Sequence, residues 1–218
     1  YYSHESLIVS TLLGKETKSF EIGNEGPLHE YFYSRQGLQY LVESLLYQHD
    51  FVAPEQIVHG KLKKGYKILF MPRILALSDA EVAELKAFAA SGGKIVADVM
   101  PGDYDELGVK RATNPFAADE ITLYGKSFND FNMAQHAEML QLLKSSGAKP
   151  VLESDGIEKL EGREAVRFTD GVSDLYMILR MTARSKDSEK QTFVFPKKAH
   201  TYDVRAAKYL GFTDAVTA

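Results

Sequence analysis

Between Tyr66 and Glu106 the hydrophobic pattern changes period twice. Tyr66 to Met71 is a short apolar run, and Ile95 to Val99 is another, each of a length and bulk suited to a buried strand. The intervening residues follow a helical period, with Val82, Leu85, Phe88 and Ala89 on one face. Ser78 and Glu81 precede that stripe at capping-box spacing, so hydroxyl and carboxylate can satisfy the first free amides of the helix. Gly92-Gly93 supplies a left-handed exit. Two apolar strands joined by one such helix make a βαβ unit, whose parallel strands need cover on both faces. Ligands of such sheets bind at the carboxyl ends of the strands, which here are Met71-Pro72-Arg73 and Asp98 to Asp105.

The flanking sequence extends this pattern. Tyr1-Tyr2 reads as the tail of a first strand, opening into a Ser3-His4-Glu5-Ser6 loop. Leu38, Leu41, Val42, Leu45 and Leu46 define a one-faced helix. Asp50-Phe51-Val52 reads as a short second strand, and Ala53 to Gly60 as a turn or short helical piece. Gly102 to Asp130 is a long connection without clear period, broken at Asn114-Pro115. Asn132 to Ser146 is a further helix ended by Gly147, and Pro150-Val151-Leu152 is expected to be a last strand. Residues 1–155 are thus expected to form an α/β domain around a parallel sheet. From 156 to 218 the texture becomes β-rich, with strand-like runs at Ala165 to Phe168, Leu175 to Leu179 and Phe193 to Phe195. Asp170-Gly171 between two of them favours a hairpin turn. So few strands cannot close a sandwich, so the module is expected to lean on the first domain, or on a neighbouring chain, to cover Phe193 and Phe195, and the chain reads as a fragment of something longer.

Composition narrows the functional classes. The 218 residues carry 26 basic and 30 acidic side chains, a net charge of −4, which argues against a nucleic-acid or anionic-membrane surface. No apolar run approaches the roughly 20 residues of a membrane helix. The chain has no cysteine, which removes disulfides, thiolate metal sites and cysteine nucleophiles, and leaves the compartment open.

Few residues point to chemistry. His136-Ala137-Glu138 has a His-x-Glu spacing, but it falls within a helix and has no cysteine to activate, so it is expected to be a solvated helix face. Gly125-Lys126-Ser127 resembles the end of a phosphate loop, but Ile121 stands where the first glycine is required. Lys61, Lys63, Lys64 and Lys67 form a basic cluster of the kind that usually stays solvated. Asp98, Asp103, Asp105 and Glu106 cluster at a strand end, where they would serve as a glycosidase acid and nucleophile pair, as hard-cation ligands, or simply as an acidic loop capping helices. Ser3, His4 and Ser6 could line the same cleft. The candidate ligand or interface loop is therefore Ser3, His4, Arg73, Asp98, Asp103, Tyr104 and Asp105, with no catalytic residue, metal or cofactor assigned.

KGYKILFMPRILALSDAEVAELKAFAASGGKIVADVMPGDYDELG and PKKAHTYDVRAAKYLGFTD together resemble the non-catalytic part of family-42 glycoside hydrolases, bacterial β-galactosidases. The resemblance implies that residues 1–155 are a trimerisation domain with a class I glutamine-amidotransferase-like, flavodoxin-like fold and parallel sheet, followed by the start of a small β domain. It implies a parent catalytic barrel as partner, which carries both catalytic glutamates, so no catalytic residue transfers to this chain. In true amidotransferases the strand corresponding to Ile95 to Val99 leads into the nucleophile elbow; here that place holds Val99-Met100-Pro101-Gly102, and a proline removes an amide donor. Expected, then, is an accessory domain that self-associates, as a trimer, through the Gly102 to Asp130 loop and its Tyr104, Phe116, Tyr124, Phe128 and Phe131. It should hydrolyse neither glutamine nor galactosides by itself. The alternatives are a flavodoxin-like module that binds a carbohydrate, and an enzyme with unrecognised carboxylate chemistry.

Overall fold

The computed structural model describes residues 1–16, 27–128, 133–154, 163–180 and 190–217. Two helices come first, α1 (His4–Glu16) and α2 (Pro27–Ser44), then a short α3 (Pro54–Val58). The strand β1 (Ile68–Met71), helix α4 (Asp79–Ala90) and strand β2 (Lys94–Ala97) are the βαβ unit that the hydrophobic pattern predicts. A two-residue β3 (Thr122–Leu123) and helix α5 (Met133–Ser145) complete the first part. β1, β2 and β3 lie side by side in that order, all parallel, with Leu69 opposite Ile95 and Phe70 opposite Val96.

Alternation along the strands sends successive side chains to opposite faces. Leu69, Met71, Ile95 and Ala97 pack with Val82, Leu85 and Phe88 of α4 on one face. Val96 packs on the other with Leu38 and Leu41 of α2, Leu45 just past it and Met139 of α5, and Phe70 adjoins that cluster. Leu41, Leu45 and Leu85 are fully buried, and each such burial contributes about 1.5–3 kcal/mol relative to exposure. The result is a flavodoxin-like α/β layer arrangement with helices on both faces of a parallel sheet.

α4 starts as its sequence dictates. Ser78 Oγ accepts from Glu81 N at 3.2 Å, and Glu81 Oε2 accepts from Ser78 N at 2.8 Å. Several other expectations require correction. The loop expected at Ser3 to Ser6 is the start of α1, with Ser6 N donating to Ser3 Oγ at 3.0 Å. Tyr1-Tyr2 and Asp50-Phe51-Val52 are extended but belong to no strand ladder. The strand expected at Pro150-Val151-Leu152 lies slightly later, as β4 (Glu153–Ser154), and joins the antiparallel β module.

That module comprises the hairpin β5 (Arg163–Thr169) and β6 (Asp174–Arg180), and the pair β7 (Thr192–Asp203) and β8 (Lys208–Thr217), with β4 on the free side of β7. The expected hairpin turn is present. Asp170 Oδ1 accepts from Val172 N at 2.8 Å and Ser173 N at 2.6 Å, and Gly171 takes φ +89°. The expected boundary between 155 and 156 lies outside the described residues. Phe193 is buried against Leu46, Val151, Leu152 and Ala165, with Phe195 packed alongside, so the module does borrow its cover from the first domain.

Candidate functional site

The strand ends converge on Asp98, which directly follows β2 and is 1% exposed. Its Oδ1 accepts from Arg73 N at 2.7 Å and Val99 N at 2.9 Å, and its Oδ2 accepts from Ser34 Oγ at 2.5 Å. Arg73 reaches that position in a left-handed conformation, φ +51°, just beyond β1. Its guanidinium pairs with Glu30 of α2. Ser34 also accepts from Phe128 N at 3.1 Å, so one hydroxyl joins α2, the end of β2 and the approach to α5. Burial pushes the Asp98 carboxyl above the ordinary aspartate range, against the opposing pull of the Ser34 hydroxyl and the Arg73 amide. A carboxylate held by donors on three sides and shut away from solvent is an anchor for its neighbours.

The other acidic residues are occupied in shaping the loop. Asp105 Oδ1 accepts from Leu107 N at 3.0 Å and Val109 N at 2.8 Å, closing a turn at Gly108. Asp103 Oδ1 accepts from Asn114 Nδ2 at 2.9 Å, and its carbonyl accepts from Arg111 N at 2.8 Å. Tyr104 serves through its backbone: its amide donates to Leu75 O and its carbonyl accepts from Leu77 N, each at 3.0 Å. Ser3 is buried at the start of α1, where its carbonyl accepts from Tyr31 OH at 2.9 Å. His4 is exposed, with its ring edge-on to Tyr2 at 5.4 Å. Of the candidate residues, only Arg73 and Asp98 are hydrogen-bonded to one another. Among the described residues no group of three or more metal-ligating side chains comes together, and no helix is long and apolar enough to cross a membrane.

At three positions of the turn after β2 no oxyanion donor is free. Val99 N is used by Asp98, Pro101 has no amide hydrogen, and Gly102 N donates to Ile74 O at 3.2 Å. His136 corrects an expectation: it is buried, with Nδ1 at 3.4 Å from Ser44 Oγ, whereas Glu138 is exposed and accepts from Tyr124 OH at 2.6 Å. The long loop corrects another. Phe116 and Phe128 are core residues, Tyr124 stacks on Phe128 at 5.1 Å, and Phe131 lies outside the described residues. These aromatics fill the protein's own interior.

Sequence reasoning missed Ser34 and Glu30. A signal existed for Ser34: it stands four and seven residues before Leu38 and Leu41, a hydroxyl inside an apolar stripe, which needs a buried partner.

No family model matches the chain, and no curated protein matches it. Solved structures do. A catalytic mutant of Gan42B, a GH42 beta-galactosidase from G. stearothermophilus, superposes with a TM-score of 0.62 at 15% identity, covering 94% of this chain and 36% of that one. Gan42B itself gives a TM-score of 0.61 at 15% identity, covering 90% of this chain and 36% of that one. The fold is therefore GH42-related: nearly all of this chain has the shape of a segment of these β-galactosidases, and it spans little more than a third of their length.

Proposed function

We propose that this chain is a non-catalytic accessory and assembly domain of a β-galactosidase-type glycoside hydrolase, whose chemistry resides on a separate catalytic barrel. The observation that carries this reading is the match of 94% of the chain to 36% of a GH42 β-galactosidase. The state of the strand ends supports it. Asp98 is pinned by three donors, and Asp103 and Asp105 each engage Oδ1 in shaping the loop, which weighs against a paired acid and nucleophile there.

Assembly on this reading uses an apolar surface next to the strand ends, and a trimer is the proposed state. Leu107 and Val109 are 82% and 60% exposed on the loop tip, and Ile8 and Leu12, one turn apart on α1, are 57% and 49% exposed. A side chain at Gly108 would lie 3.5 Å from Val9 Cγ2, so loop tip and helix adjoin. Apolar surface of this kind, rimmed by polar residues, is typical of subunit contacts.

Two measurements test the proposal. The chain alone should give no turnover of a nitrophenyl galactoside; turnover abolished by Asp98→Asn would overturn it. In the full-length protein, Ile8→Glu with Leu107→Glu should shift the species seen by light scattering from oligomer to monomer. An unchanged mass would remove this surface from the assembly.

A further inference from the structure

β7 and β8 run on together beyond the body of the β module. β4 pairs with β7 only at Phe193 and Val194, and from Pro196 onward no other strand among the described residues flanks the pair. A two-stranded ribbon of this kind buries neither face by itself. The side chains it carries are nonetheless large and aromatic. Tyr202, Phe212 and Tyr209 are 63%, 62% and 49% exposed, and His200 is exposed beside them.

The four rings form one row. His200 stands opposite Phe212, and Tyr202 opposite Tyr209, so each pair shares a face. Phe212 and Tyr209 are three residues apart, which would send them to opposite faces of a regular strand. A one-residue slip in register between Thr201 and Tyr202, with Gly211 at φ +109°, brings them to the same side. Ring centroids then follow at 5.2 Å from Phe212 to His200, 6.0 Å from His200 to Tyr209 and 5.0 Å from Tyr209 to Tyr202. His200 Nδ1 lies 2.8 Å from Tyr209 OH, which fixes the middle pair. The ribbon also concentrates positive charge. Residues 196–214 hold Lys197, Lys198, Arg205 and Lys208 against Asp203 and Asp214, net +2, which leaves −6 on the rest of a chain of −4. Lys208 stands opposite Asp203. Lys198 and Arg205, both exposed, lie before His200 and beyond Tyr202, at the two ends of the row.

We propose that this row is a binding site for an acidic oligosaccharide, whose sugar faces stack on Tyr202, Tyr209 and Phe212 while its acid groups pair with Lys198 and Arg205. Three of the four rings carry a polar edge. A protein surface laid over them would bury those edges, at a cost wherever one found no partner. A sugar meets both needs, with C–H groups for the ring faces and hydroxyls for the edges. Charge selects the acidic kind, because cations bracket the rings on a chain that is otherwise negative. A nucleic-acid strand would call for a cation at nearly every phosphate, and the row has two. The choice of a sugar rests on the glycoside-hydrolase reading above, since a row of rings stacks other flat units as readily.

The test titrates the chain with an unsulfated chondroitin hexasaccharide, which has a carboxylate on every second sugar, with a neutral galacto-oligosaccharide of equal length, and with a short oligothymidylate. Amide shifts of β7 and β8 are followed by NMR. The acidic sugar should bind with a Kd of about 1 mM or tighter and shift residues of the ring row. The neutral sugar should bind about tenfold more weakly, and the two should converge in high salt. Tyr202→Ala with Phe212→Ala should weaken the acidic sugar by about tenfold or more at unchanged Tm, the rings being exposed. Lys198→Gln with Arg205→Gln should remove its advantage over the neutral sugar. If the ring variant lowers the Tm, the Lys198 and Arg205 variant decides. Absence of binding at that concentration, equal affinity in the ring variant, or tighter binding of the oligothymidylate would overturn the proposal. So would ring-dependent self-association that grows with protein concentration, because a second copy would then be the occupant. Turnover of a nitrophenyl galactoside by the full-length protein tests the reading above separately. Turnover without binding removes only this site, and binding without turnover keeps the site and removes that reading.

Discussion

The Ser34 hydroxyl donates to Asp98 Oδ2 at 2.5 Å across 64 residues of sequence, fixing a helix to the end of the central strand. The same oxygen accepts the amide of Phe128. Ser34→Ala strands a buried carboxylate oxygen and a buried amide together, and should cost about 1–3 kcal/mol. Asp98→Ala strands the same hydroxyl, so the double variant should cost clearly less than the sum of the singles, by at least about 0.5 kcal/mol. Urea unfolding of the four proteins measures this, and simple additivity would show that the pair is not coupled.

Asp98 also predicts a pH dependence. Burial holds its carboxyl above the ordinary aspartate value in the folded protein, so the native state binds the proton more tightly than the unfolded chain. Its contribution is therefore fully present below the ordinary aspartate value and is lost as pH rises through the raised one. Unfolding free energies of the parent protein minus those of Asp98→Asn should fall with rising pH across that window. A difference that climbs instead would reverse the assignment.

Gly92 and Gly93 should fail for different reasons when changed to alanine. Gly92 sits at φ +92° with open space around it, so Gly92→Ala meets only backbone strain, about 1–2 kcal/mol. At Gly93 an added Cβ would fall 2.3 Å from the Phe88 ring, which is itself buried in the core. Gly93→Ala must displace that ring at a cost of about 1–3 kcal/mol. A compensating Phe88→Leu should recover part of the second loss and none of the first, as thermal unfolding would register.

Removal of the helix cap is the simplest case. Ser78→Ala leaves Glu81 N without its acceptor and should lower stability by about 1 kcal/mol. Ser78→Thr should restore most of it, since its hydroxyl can accept from Glu81 N and donate to Glu81 Oε2 as Ser78 does. If alanine and threonine prove equivalent in urea, the cap is not contributing.

The elements that could be read from sequence are those whose causes are local. Ser78, Glu81, Val82, Leu85 and Phe88 lie within eleven residues and determine α4 among themselves. α1 was hidden because HESLIVSTLLGKE mixes β-branched residues and serines of modest helix propensity. Its helix is held by distant contacts, such as Ser6 Oγ accepting from Ala76 N at 3.0 Å. Phe116 and Phe128 are illegible for a similar reason: an aromatic in an aperiodic loop carries no period to say which way it faces. The position of Asp98 at the strand end is legible, but whether it is free or bound depends on Ser34, Arg73 and Phe128, none of them a sequence neighbour.

Leu46 has a wider consequence. It sits just past α2 at φ +64°, fully buried, with its carbonyl accepting from Val151 N at 2.8 Å and its side chain against Phe193. Glycine there would relieve the backbone but remove the plug between the two halves; any other side chain would keep the strain and lose the fit. The seam thus turns on one strained residue within a small cluster, and detaching the β module would uncover Leu46, Val151 and Leu152. Exchange of either half between relatives would have to carry Leu46, Val151 and Phe193 along together, so the two parts should evolve, and melt, as one.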